Sequence, residues 1–143
     1  MKIGRNDNIK IVGMKSDLKS NSIEKIDYLK WIEFIEFNKD YFVWYENTED
    51  GKHVLENITK VPDWAKEGVL YNLNKTTVYS TNKIVENQHD LVVRYFENGS
   101  IKIDIEKKMK KEVAKILLEM ANYLEGELII NERKKLENIE QLN

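Results

Sequence analysis

The chain reads as an α+β protein: one domain built on a mainly antiparallel sheet, with a long C-terminal amphipathic helix packed on one face and one or two further helices. Three observations predict this class. Asn98-Gly99 stands between the alternating runs Leu91–Tyr95 and Ile101–Ile105, a strong short-range hairpin signal. Met109, Val113, Ile116, Leu117, Met120 and Leu124 recur at steps of three and four, the stripe of a helix laid on a sheet. The 143 residues are 41% apolar with a formal charge of −2, enough for one core and too little net charge to hold the chain open.

In chain order, Ile9 and Ile11 alternate with polar neighbours and predict a short strand running towards Gly13. In "SIEKIDYLKWIEFIEFNKD" the charges at Glu24, Asp27, Lys30, Glu33 and Glu36 recur every third position, which predicts a helix over Ser22–Phe37 capped by Ser22. The rival is a hairpin turning at 38–40, favoured by the β-prone Trp31, Phe34 and Phe37. "YFVWY", residues 41–45, reads as a strand apolar on both faces and therefore covered on both sides. "ENTEDG" then has the residues of a turn or helix entry, with Glu46, Glu49 and Asp50 in solvent. Pro62 precedes a cap at Asp63, and a short helix through about Leu73 carries Trp64, Val69 and Leu70.

The hairpin pattern selects its loop length. A two-residue Asn98-Gly99 loop would place Arg94 on the apolar face. A three-residue loop, 97–99, pairs Tyr95 with Ile101, Val93 with Ile103 and Leu91 with Ile105, and puts Gly99 at the left-handed bulge position. The outward face then carries Arg94, Lys102, Asp104 and Glu106. The stripe predicts a helix over Met109–Leu124, stopped by Gly126, followed by a strand in "ELII". Residues 1–131 form the domain. The polar tail 132–143 is expected as a frayed helix through Leu136 and Ile139.

Composition excludes several chemistries. Without cysteine there is no disulfide, thiolate catalysis or sulfur-ligated zinc. Lys and Arg are matched by Asp and Glu along most of the chain, against general nucleic-acid binding. No apolar run approaches a secretory or membrane segment, so a cytoplasmic protein is expected, and the Lys, Asn and Ile bias suggests a bacterium. His53 and His89 lack metal-ligand spacing and read as isolated surface or edge histidines, and no phosphate-cradling glycine motif or GxSxG elbow is present. No metal, cofactor or catalytic residue is predicted. The run Lys107, Lys108, Lys110, Lys111 and Lys115 is the best candidate for phosphate contact, although flanking Glu106 and Glu112 favour a solvated face.

The segment "VVRYFENGSIKIDIEKKMKKEVAKILLEMANYLEGELII" resembles the ending of small bacterial immunity proteins, the antidotes of contact-dependent inhibition, Rhs and other polymorphic toxin systems. The shared features are a hairpin, an amphipathic helix with an "LLEMANYLEGELI" type of close, and a final strand. The resemblance implies a non-enzymatic cytoplasmic protein that binds one cognate toxin domain and blocks its active site or substrate cleft. Many such toxins are nucleases with basic clefts, to which an inhibitor presents carboxylates. The expected toxin-binding residues are therefore Glu46, Glu49 and Asp50, followed by Trp64 and Glu67 as an aromatic anchor with a neighbouring charge. Two other classes compete: a small adaptor or phage-encoded regulator that also binds protein, and a hydrolase using paired carboxylates.

Overall fold

A computed structural model describes residues 1–20, 22–81, 83–85 and 88–142, with side chains described for all of these except 83–85, 88 and 89. In chain order the elements are β1 (Ile9–Gly13), α1 (Tyr28–Phe37), β2 (Phe42–Trp44), α2 (Glu49–Glu56), α3 (Asp63–Asn72), β3 (Thr77–Ser80), β4 (Lys83–Val85), β5 (Gln88–His89), β6 (Leu91–Tyr95), β7 (Ile101–Ile105), α4 (Lys111–Tyr123), β8 (Gly126–Ile130) and β9 (Lys134–Leu136). Seven strands form one antiparallel sheet in the order β2-β3-β6-β7-β1-β8-β9, and β4 and β5 pair separately. The class is α+β with a dominant antiparallel sheet.

The period-two pattern sets which face is buried. Ile9, Ile11, Leu91, Val93, Tyr95, Ile101, Ile103, Leu128 and Ile130 all point to one side and are almost wholly buried. α1 and α4 cover them. Trp31, Phe34 and Ile35, at steps of three and four on α1, insert into this core. Trp31 meets Trp44 edge-on at 6.0 Å and stacks on Tyr95 at 6.1 Å, while Phe34 packs on Tyr123 of α4 at 5.5 Å. The opposite face carries Lys10, Arg94 and Lys102 on adjacent strands, in cross-strand register, and Arg94 pairs with Asp104 at 2.8 Å.

The β6–β7 hairpin has the three-residue loop and register read from its pattern, Tyr95 opposite Ile101 and Leu91 opposite Ile105. Gly99 adopts φ +84 and donates its N–H to the Phe96 carbonyl at 2.8 Å, the left-handed position that a side chain would strain.

Several expectations are corrected. α1 begins at Tyr28, capped by Asp27 rather than Ser22, because the preceding segment is spent elsewhere: Ile26 is buried and donates its N–H to the Gly99 carbonyl, while Ser22 bridges Asp17. The helix over 28–37 replaces the rival hairpin. β2 is a sheet edge and is not covered on both sides: Phe42 and Trp44 are buried, whereas Tyr41, Val43 and Tyr45 are half-buried. α3 starts after Pro62 with no side-chain cap, and Asp63 lies in its first turn. α4 has 13 residues and is followed by two strands, so it is neither long nor C-terminal, and among the described residues three further α-helices stand where one or two were expected. Glu125, at φ +55, makes the left-handed exit from α4, and Gly126 opens β8.

The tail is also different. Residues 134–136 add β9 to the sheet, Leu136 facing Leu128, and a short 3-10 turn at Ile139–Gln141 follows. A frayed helix would have left the β8 edge unpaired; the strand instead satisfies that edge and buries Leu136, and the turn after it buries Leu142. The N-terminal ammonium donates to the Gln141 carbonyl at 2.8 Å, tying the two ends of the chain together.

Candidate interaction surface

Between β2 and β3 the chain leaves the sheet for a helical excursion comprising a 3-10 turn at Tyr45–Asn47, α2, a second 3-10 turn at Ile58–Lys60, and α3. Its entry is built by polar contacts. Thr48 donates its hydroxyl to the Tyr45 carbonyl at 2.6 Å and caps α2 by accepting from the Gly51 N–H at 3.0 Å. A Cβ on Gly51 would lie 1.9 Å from the Tyr45 carbonyl oxygen, so only glycine allows α2 to sit this close to the turn before it.

The excursion contributes little to the core. Gly51 is the only buried residue of α2, and α3 has none. On α3 the apolar residues Trp64, Ala65, Val69 and Leu70 are spread around the helix and form no single stripe, so they cannot all face the sheet. Trp64 is 87% exposed, Leu55 51% and Leu70 44%. An indole left in water while Trp31 and Trp44 are buried is the largest apolar side chain that the fold does not use.

The sequence-predicted residues divide at this surface. Glu49 and Asp50 are exposed in the first turn of α2, where the helix dipole stabilises their negative charge. Trp64 and the exposed Glu67 stand one turn apart on α3, at the i, i+3 spacing that puts them on the same face. Glu46 differs. Its Oε2 accepts the Lys75 N–H at 2.8 Å, and its Oε1 is buried with no hydrogen-bond partner. This contact holds Lys75 in its left-handed conformation, φ +55, where the excursion returns to β3, so Glu46 belongs to the fold.

His53 is exposed on α2 and its carbonyl accepts from the Asn57 side chain; the side chain of His89 lies outside the described residues. Among the described residues no cluster of three or more His, Asp or Glu is placed to hold a metal ion, and no helix is long and apolar enough to cross a membrane. Lys107, Lys108 and Lys110 line a cavity of about 310 Å³ with Asp90, Ile105, Met109 and Val113, before the start of α4.

Sequence reasoning missed a second cavity, of about 300 Å³, at the root of the excursion. Lys25, Tyr28, Tyr71, Asn74, Thr76, Tyr95 and Glu97 line it. These residues come from three separate stretches of the chain, so no local spacing could have announced it. Burial pushes the Tyr71 phenol up, and the Glu97 carboxylate adds to the shift.

Compared with known proteins, the chain matches no family model, and no curated protein or solved structure matches it.

Proposed function

We propose that this protein is a bacterial immunity protein that acts in the cytoplasm, binding a cognate toxin domain and blocking its active site or substrate cleft. The observation that carries the reading is the α2–α3 excursion, which buries almost nothing of its own and holds Trp64 in solvent beside Glu67. A largely exposed indole next to a carboxylate suits an interface anchor, since aromatic residues are prominent among the side chains that dominate the binding energy of protein interfaces. Glu49 and Asp50 add exposed negative charge at the start of α2, suited to the basic cleft of a nuclease toxin. The resemblance of the C-terminal half to immunity proteins points the same way.

The test is growth rescue. Cells expressing the toxic product of the neighbouring gene are expected to survive when this protein is co-expressed, and the two chains are expected to co-purify. Trp64→Ala should weaken the complex by about 2 kcal/mol, roughly thirtyfold, with the melting temperature unchanged because the indole makes so little contact in the free protein. Equal death with and without the protein would sink the proposal.

A further inference from the structure

The cavity at the root of the excursion has an unusual hydrogen-bonding balance. Tyr28 donates its hydroxyl to the Asn74 carbonyl at 2.9 Å, Tyr71 to Tyr95 at 2.7 Å, Tyr95 to Ile26 at 2.5 Å, and Thr76 to Tyr71 at 2.6 Å. Each hydroxyl hydrogen is therefore committed to a backbone carbonyl; Tyr95 and Thr76 are buried beneath the cavity, while the half-buried Tyr28 and Tyr71 present phenol oxygens that can only accept from anything that enters. The Glu97 carboxylate at the rim is likewise an acceptor. Tyr28 packs on the buried Tyr95 at 5.3 Å, and the half-buried rings of Tyr28 and Tyr71 provide aromatic surface. Acceptor oxygens, a carboxylate and tyrosine rings together suit a planar cation carrying several N–H donors.

We propose that this cavity receives an arginine side chain of the protein partner, its guanidinium lying against the tyrosine rings and donating to Glu97 and the phenol oxygens. The inference takes the partner's identity from the immunity reading; the chemistry of the cavity stands without it. A toxin with a basic cleft carries the required side chain, and Tyr71 makes the cavity continuous with α3, which also bears Trp64. Lys25 is the internal competitor. It is exposed, it lines the same cavity, and its stem lies where a Cβ on Gly99 would fall, so its positive charge opposes that of an entering guanidinium.

Titration of the isolated protein with N-acetyl-arginine amide, followed by NMR, is expected to give saturable shifts at Tyr71, Asn74, Thr76 and Glu97. Glu97→Gln should weaken this binding about threefold, by loss of the ionic partner. Lys25→Met keeps the stem over Gly99 and removes the competing charge, and should tighten binding about twofold. N-acetyl-citrulline amide, close in shape but uncharged, is expected to give no saturable shift. Equal binding of the citrulline probe, or no saturation with the arginine probe, overturns the site. The probe needs no toxin, so the two readings fail separately: a dead titration with intact growth rescue removes the arginine site alone, and a live titration without rescue removes the immunity function alone.

Discussion

Gly51 and Asp7 show how single residues hold this fold at points far from its core. At Gly51 the obstacle to a side chain is a backbone carbonyl, which cannot rotate away. Gly51→Ala should therefore cost about 2 kcal/mol or more, read as a lower denaturant midpoint, and should loosen α2 from the turn before it. A midpoint equal to that of the unaltered protein would show that the turn gives way without cost. Asp7 works by charge. The Asn131 side-chain amide at 2.9 Å and the Gly4 N–H at 2.7 Å both donate to it, and together they hold its carboxyl below the usual aspartate range. The anion is the form that the folded state favours. Its contribution is complete above the unfolded aspartate's pKa and is lost as pH falls through the lowered folded value. Asn131→Ala should move the Asp7 titration up towards the usual range, measured from the carboxyl carbon shift against pH. An unmoved midpoint would mean that Gly4 alone sets it.

At the scale of elements, β9 turns a polar tail into part of the sheet. Its turn has Asn131 and Glu132 both at left-handed φ, +53 and +61, which suits a tight hairpin. Leu136→Ala should cost about 2–4 kcal/mol, because Leu136 is 2% exposed and fills the inward row beside Leu128. Thermal unfolding measures it, and a loss of a few tenths would mean that the tail is only loosely docked. The β6–β7 hairpin was fully legible in the sequence, since the loop, the glycine and the alternation all act within fifteen residues. α1 was legible as a helix and mistaken in its start. Ser22 has the chemistry of a cap, but Ile26 finds a partner across the chain at Gly99 and draws the segment straight. β9 was not legible because Lys134 and Lys135 mask a strand whose only buried side chain is Leu136.

On the whole-molecule scale, stability is divided unevenly. β6, β7 and β1 lie at the centre of the sheet, whereas α2 and α3 have almost no buried side chains. Amide hydrogen exchange should be fastest in α2 and α3, slow in α4 and slowest in β1 and β7. Protection of α3 equal to that of β1 would contradict the view of the excursion as a loosely held surface. Binding of a partner over Trp64 should slow exchange in α3 before any other helix.

The sequence by itself determined the class, the inward face of β1, β6 and β7, the hairpin register and the helical stripe of α4, because periodicity and turn chemistry act between near neighbours. It also marked Glu49, Asp50, Trp64 and Glu67 as polar or aromatic candidates without saying which would stay in solvent. Only the tertiary structure decided that Glu46 is consumed in holding Lys75, that the tail pairs with β8, and that Tyr28, Tyr71, Tyr95 and Glu97 meet around one cavity. Those outcomes depend on which hydrogen-bonding groups and apolar surfaces remain unsatisfied once distant segments have packed, and a linear pattern carries no record of that.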